Sequence, residues 1–108
     1  MTVDQLAKEC NLKAVVLPDG SREVEGVYIG DLLSWVMGRA QSGDAWITIM
    51  SNINIVAVAA LADTACIILA EGVSVDEQVI TVAKEKGINI LCSDNPAYEI
   101  ATALSKVL

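Results

Sequence analysis

The second half of the chain repeats one unit three times: a short apolar segment, a small polar turn and a helical segment. The apolar segments span residues 46–50, 66–70 and 88–92, and the turns span residues 51–54, 71–74 and 93–95. Strands that alternate with helices pair in parallel through right-handed crossovers. We therefore predict an α/β fold with a layered, mostly parallel sheet and flanking helices, in which all three turns lie at one edge of the sheet.

The edge at the carboxyl ends of parallel strands is where open α/β sheets bind ligands. The polar residues of the three turns are therefore the candidate ligand-binding residues: Ser51, Asn52, Asn54, Glu71, Gly72, Ser93 and Asp94. Helix N-termini attract anions, but these turns carry acidic side chains and no Lys or Arg. Their charge disfavours a polyanionic nucleotide. The alternative interpretation is that the turn residues only cap the helices.

Asn52 and Asn54 interrupt an apolar stretch between the predicted strand 46–50 and the predicted helix 53–62. We expect both amides to be buried and therefore hydrogen-bonded, one capping the helix and the other facing a ligand, a water molecule or a second subunit. The helix has no charged residue, and helices that are apolar all round are buried all round. We expect it under the sheet, in a subunit interface, or both. Trp35 is expected in the core or in an interface, with the core favoured.

Local signals mark where the helices begin and end. Thr2 and Ser74 each begin a capping box, with Gln or Glu three residues later. Asn95 is the predicted N-cap of the last helix, because a proline follows it. Asn11 and Gly87 are the predicted residues at which two helices end.

The N-terminal half adds further elements. We predict strands over residues 13–17 and 23–29, with Gly26 marking a bulge, and a helix that begins near Gly30. No linker or change of composition divides the 108 residues, so we expect one domain over residues 1–108.

The charge balance bears on the class of partner. The formal net charge is −7, and the seven Lys and Arg residues are scattered along the chain. Nucleic-acid binding and adsorption to anionic membranes both need basic patches, so we expect neither.

Hydrophobic residues make up 54% of the chain, which is more than a small monomer readily buries. We therefore expect a homo-oligomer, with a dimer favoured.

The motifs of several enzyme classes are absent. The chain contains no His, no P-loop of the form GxxxxGKS or GxxxxGKT and no GxGxxG, which excludes His-dependent triads and a P-loop phosphate cradle. Cys10, Cys66 and Cys92 lie far apart, which argues against a disulfide framework and a zinc site. We expect no cofactor and no metal.

The sequence begins without a signal peptide, and its longest apolar stretch, residues 55–62, is too short to span a bilayer. These features predict a cytoplasmic protein with reduced thiols.

Residues 47–104 resemble the DRTGG domain, and the segments that carry the resemblance are residues 50–54, 57–61, 66–72, 83–91 and 93–99. The N-terminal half, with residues 27–31, is similar to the N-terminal domain of HPr kinase/phosphorylase. The resemblance implies an α/β domain of the kind found beside CBS domains and in some phosphotransacetylases and pyrophosphatases. It also implies a regulatory or assembly role and no kinase activity. The Asp-Arg-Thr-Gly stretch falls on residues 52–55, which read Asn-Ile-Asn-Ile, so its charged pair is absent.

Three hypotheses for function follow. The first is a non-catalytic regulatory, ligand-sensing or interaction module that self-associates. The second is a structural, dimerising adaptor for a partner protein, in which the turns only cap helices. The third is an enzyme that uses carboxylates such as Glu71 and Asp94 as acid and base.

Overall fold

A computed structural model describes all 108 residues of the chain. Its five strands are β1 (Lys13–Val16), β2 (Gly26–Ile29), β3 (Asp44–Thr48), β4 (Cys66–Leu69) and β5 (Ile90–Cys92). They form one sheet in the order β1-β5-β4-β3-β2. Strands β2 to β5 pair in parallel, and β1 runs antiparallel beside β5. The predicted α/β fold with a mostly parallel sheet is confirmed.

The helices cover both faces of the sheet. They are α1 (Val3–Glu9), α2 (Leu33–Arg39), α3 (Asn54–Ala62), α4 (Glu77–Lys86) and α5 (Ala97–Ser105). Helices α2, α3 and α4 connect parallel strands that lie side by side, so right-handed crossovers place all three on one face. Helices α1 and α5 cover the opposite face.

Each face of the sheet has its own apolar core. On the α1/α5 face, Ile47 and Ile68 are fully buried beneath the two helices. On the α2/α3/α4 face, Trp46 is the largest fully buried side chain, and its Nε1 donates to the carbonyl oxygen of Gly30 at 2.8 Å. Every residue of β3 and β4 is buried, as parallel strands covered on both faces require.

The favoured placement of Trp35 in the core is wrong, and α3 lies on the sheet as expected but is not buried all round within the chain. Trp35 lies on the outer side of α2 with 52% of its surface exposed, and the guanidinium of Arg39 stacks 3.7 Å from its ring centroid. Helix α3 buries only its inner side, which includes Ile55 and Ala59, whereas Leu61 is 72% exposed. The physical reason is that α3 packs on the sheet and between α2 and α4, so no element of the same chain covers its outer side.

The predicted boundary of α1 and the end of α4 are confirmed. The capping box of α1 is formed: the Oγ1 of Thr2 accepts from the backbone N of Gln5 at 3.2 Å, and the Gln5 side chain accepts from the N of Thr2 at 3.0 Å. Asn11 and Gly87 have left-handed φ values of 56° and 71° just after the two helices. Both residue types tolerate that conformation.

The two other predicted N-caps are wrong. Asp76, not Ser74, caps α4, and its carboxylate accepts from the backbone N of Val79 at 3.2 Å. A carboxylate is a strong cap and also favours the positive end of the helix dipole, so it replaces the serine two residues earlier. Helix α5 begins after Pro96, which is itself extended, and the side chain of Asn95 does not cap it.

Gly26 does not form a bulge; it is the first residue of β2. The irregularity in the sheet lies instead in β1, between Ala14 and Val16. A side chain at position 26 would place its Cβ 2.6 Å from the Oδ1 of Asp44. The glycine is therefore required by the close approach of β2 to this buried carboxylate.

Asn89 ties the loop after β1 to the start of β5. Its side chain is 2% exposed, and its Oδ1 accepts from the backbone N of Asp19 at 2.9 Å. Its Nδ2 donates to the carbonyl oxygens of Asp19 at 2.7 Å and Ala65 at 3.0 Å. These bonds anchor the loop that leaves β1 against the strands β4 and β5.

Candidate functional site

Four turns meet at the carboxyl edge of the sheet, because β2, β3, β4 and β5 are parallel. The turns after β3, β4 and β5 carry the seven predicted residues, and the turn after β2 adds Asp31. The Oδ1 of Asp31 accepts from the Oγ1 of Thr48 at 2.8 Å and from the backbone N of Ile49 at 3.0 Å. Sequence analysis missed Asp31, although an acidic residue directly after an apolar strand was the available signal.

Four of the predicted residues, Glu71, Gly72, Ser93 and Asp94, are held together by the backbone. The N of Glu71 donates to the carbonyl oxygen of Asn95 at 2.9 Å, and the N of Gly72 donates to that of Ser93 at 3.0 Å. Glu71 and Gly72 both have left-handed φ values, 62° and 71°. A Cβ on Gly72 would lie 3.2 Å from the Oδ1 of Asp94. Because both N–H groups are already bonded, they are not free to bind an anion.

The other three predicted residues form a separate local structure at the start of α3. The Oδ1 of Asn52 accepts from the backbone N of Asn54 at 2.9 Å, and its carbonyl oxygen accepts from the N of Ile55 at 3.2 Å. Asn52 therefore closes a short turn just before α3, whose N-cap is Ile53. Both asparagines are exposed and Ser51 is half-buried, so the expectation of two buried amides is wrong. The turn projects into solvent because α3 begins at the rim of the sheet.

A cavity of about 240 Å³ opens at the same edge, between the beginning of β1 and the end of β5. Its lining combines side chains from the two sides of that strand pair: Asn11, Lys13, Cys92, Ser93, Asp94 and Asn95. Of the predicted site residues, Ser93 and Asp94 line it. Ser51, Asn52, Asn54, Glu71 and Gly72 do not.

Lys13 supplies a cation that the turns lack. Strand β1 is antiparallel to β5, so its first residue reaches the edge at which β5 ends, and Lys13 pairs with Cys92 in the sheet. Counting the charges within the turns alone missed this lysine, because the sequence did not reveal the direction of β1. The candidate site therefore has one ammonium group as well as the carboxylate of Asp94.

The three thiols differ in their environment. Cys66 is buried in β4, and burial raises the pKa of its thiol to about 12. Burial, followed by the nearby charge of Glu9, also raises the pKa of Cys10. Cys92 is partly exposed and lines the cavity.

No group of three or more metal-ligating side chains converges anywhere in the chain. None of the five helices has the length and apolar character that a membrane span needs.

Comparison with known proteins identifies the family. The sequence profile of the DRTGG domain matches residues 5–107. The chain belongs to the DRTGG domain family. A solved structure with the same fold contains the CBS and DRTGG domains of the regulatory region of Clostridium perfringens pyrophosphatase, complexed with its activator, diadenosine tetraphosphate. The TM-score is 0.74 at 14% sequence identity; the match covers 95% of this DRTGG domain but only 45% of that chain. No curated protein matches the sequence.

The resemblance places the family's name-giving stretch on residues 52–55, which lie at the start of α3. The side chain of Asn52 accepts from the backbone N of Asn54 there, and no charged side chain stands within those four residues.

Proposed function

We propose that this DRTGG domain is a non-catalytic regulatory module that senses a small ligand at the carboxyl edge of its sheet and that self-associates. The observation that carries the ligand-sensing part is the polar cavity at that edge, which Ser93 and Asp94 line together with Lys13. The solved neighbour with the same fold belongs to a regulatory region complexed with an activator, which favours a regulatory role over an enzymatic one.

The side chains at the edge also favour a binding role. Glu71 and Asp94, the carboxylates considered as acid and base, are both exposed, and no hydrogen bond orients either side chain. The thiol of Cys66 is fully buried with a raised pKa, so it is not available as a nucleophile. Binding needs only complementary polar groups, and the cavity supplies them.

Thermal unfolding of the full chain, with small ligands added singly, tests the ligand-sensing part. The panel includes diadenosine tetraphosphate, AMP, ATP and free amino acids. A ligand at 100 times its dissociation constant adds about 2.7 kcal/mol of stability, which raises the melting temperature by roughly 10 °C in a domain of this size. We expect Asp94→Asn to weaken this effect and Glu85→Gln, on the exposed side of α4, to leave it intact.

Two results would contradict the ligand-sensing part. If stabilisation survives in both Asp94→Asn and Asn54→Ala, the ligand binds away from the carboxyl edge. If no ligand stabilises the chain but a protein partner co-purifies with it, the adaptor hypothesis is the better one. Turnover that disappears in Glu71→Gln would instead favour an enzyme.

The observation behind self-association is a set of large hydrophobic side chains that remain exposed near the β2 edge of the sheet. On α2 and α3 and in the turns beside them these are Leu32, Trp35, Met37, Ile49 and Leu61, whereas Val27 and Ile29 of β2 point to the opposite face of the sheet. Strand β2 is also an edge strand with one unpaired side, and such edges readily pair with another chain. A stable dimer buries about 800 Å² on each partner, a modest share of the 5578 Å² accessible on this chain. We take a second copy as the occupant.

Sedimentation velocity over a range of concentrations tests the dimer. We expect the wild type to dimerise and the double variant Trp35→Ser/Leu61→Ser to be a folded monomer. The matched control is Tyr98→Ser, because Tyr98 is 79% exposed but belongs to α5 on the opposite face. A wild type that stays monomeric at high concentration, or a dimer that Tyr98→Ser disrupts equally, would refute this interface.

A further inference from the structure

The cavity between β1 and β5 contains polar side chains of both charges that have no partner within the chain. None of the three ion pairs includes Lys13 or Asp94. Among the six lining side chains, only that of Ser93 takes part in a hydrogen bond, in which its Oγ accepts from the backbone N of Asn95 at 3.0 Å. The amides of Asn11 and Asn95, the ammonium of Lys13 and the carboxylate of Asp94 are exposed to solvent and form no hydrogen bond within the chain.

The backbone around the cavity is nevertheless well held. On one side, Asn11 ends α1 in a left-handed conformation with φ of 56°, and the N of Leu12 donates to the carbonyl oxygen of Ala7 at 2.8 Å. On the other side, the N of Ser93 donates to the carbonyl oxygen of Leu69 at 2.9 Å. The backbone of the walls is therefore in place before any ligand binds, so the ordering that remains on binding is that of the exposed side chains.

The two opposite charges restrict the class of ligand. A polyvalent anion attracted by Lys13 would also face Asp94, and a simple cation attracted by Asp94 would face Lys13. A zwitterion satisfies both groups, and the two flanking amides can donate to its carboxylate or accept from its ammonium group. The volume of about 240 Å³ lies below the 300–1,000 Å³ or so of sites for drug-sized ligands, which favours a small molecule.

We propose that this cavity binds a free α-amino acid, with its carboxylate on Lys13 and its ammonium group on Asp94. The inference rests on the proposed function, because it specifies the ligand class of the same sheet edge. Asn11 and Asn95 are expected to orient the amino acid.

The test uses the full chain, isothermal titration calorimetry and the twenty proteinogenic amino acids, followed by two derivatives of the tightest binder. The N-acetyl derivative keeps only the negative charge, and the methyl ester keeps only the positive charge. Each lost charge-assisted hydrogen bond is expected to weaken binding about tenfold or more. Lys13→Met and Asp94→Asn should weaken the parent amino acid to the same degree.

Matched variants separate loss of contact from loss of folding. Lys13→Arg keeps the charge and should retain binding, whereas Asn11→Gly keeps the left-handed backbone and removes only the amide, so it should bind severalfold more weakly at unchanged stability. Lys84→Met and Glu85→Gln alter exposed charges on α4 and should bind as the wild type does.

Three results would overturn the inference. The first is that no amino acid binds at concentrations up to about 10 mM, which is about tenfold above a dissociation constant of 1 mM. The second is that the N-acetyl derivative or the methyl ester binds as tightly as the parent, which would indicate a site for one charge only. The third is that Lys13→Met and Asp94→Asn both bind normally. If the amino acids fail but diadenosine tetraphosphate stabilises the chain, the zwitterion inference is wrong and the ligand-sensing proposal stands; if both fail, both are wrong.

Discussion

Replacing Asn89 by Ala is expected to loosen the corner that holds β1 against β5. The substitution removes three hydrogen bonds, two to the backbone of Asp19 and one to the carbonyl oxygen of Ala65. A hydrogen bond contributes about 1 kcal/mol net, and a buried group left without a partner costs about 1–3 kcal/mol. Asp19 is exposed, so water replaces part of its two bonds, whereas Ala65 is 3% exposed and its carbonyl oxygen loses a buried donor. We expect the free energy of unfolding to fall by about 2–3 kcal/mol.

Urea unfolding measures this loss. The dependence of unfolding free energy on urea is about 1–3 kcal/mol per molar for small proteins, so the midpoint should fall by roughly 1–2 M. The matched control is Asn95→Ala, because the side chain of Asn95 is exposed and forms no hydrogen bond, and it should change stability by less than about 0.5 kcal/mol. An Asn89→Ala variant as stable as Asn95→Ala would refute the reasoning, since it would mean that water replaces all three bonds at no cost.

Three further predictions concern single groups. Thr2→Ala removes the cap of α1 and should lower the free energy of unfolding by about 1 kcal/mol in urea; an unchanged midpoint would contradict this. Burial raises the pKa of Cys66 from 9.0 to about 12, so the thiol loses its proton at a lower pH in the unfolded chain than in the folded one. Between these two pKa values the free energy of unfolding therefore falls by about 1.4 kcal/mol per pH unit. Cys66→Ala should remove this part of the fall in stability at alkaline pH. Hydrogen bonds from Ser42 and Arg22 hold the pKa of Asp63 below its ordinary 3.8. Their contribution to the free energy of unfolding is therefore fully present above pH 3.8 and is lost as the pH falls through the lowered pKa. Asn tolerates the left-handed backbone at position 63, so Asp63→Asn should reduce the loss of stability at acid pH. A loss equal to that of the wild type would argue against the hydrogen bonds from Ser42 and Arg22.

The parallel part of the sheet could be predicted because its strands carry a strong signal. Strands β3 and β4 are buried on both faces, so they appear in the sequence as short apolar runs bounded by turn residues. The capping box at Thr2 was equally local, since both of its bonds lie within four residues. Sequence reasoning therefore recovered features whose pattern is strong and has no close competitor in the neighbouring residues.

The errors arise where two local solutions compete or where packing decides. Ser74 and Asp76 both precede α4 and both can cap it, and the structure selects the carboxylate. Helix α3 is apolar on every side, so its sequence does not distinguish the inner side from the outer side. The same ambiguity applies to Trp35, whose apolar neighbours do not reveal that Val36 alone is fully buried on α2.

The direction of β1 matters most for the chemistry of the candidate site. Counting charges along the turns finds acids alone, but antiparallel β1 begins where β5 ends and brings Lys13 to the same edge. The local balance becomes one ammonium group and one carboxylate, within a chain whose net charge is −7. The field of that net charge opposes the approach of a polyanion to Lys13, whereas it exerts little net force on a zwitterion. Because salt screens such a field, the repulsion between the chain and a polyanion would weaken as the salt concentration rises, whereas an amino acid held by both charges has no such repulsion to lose.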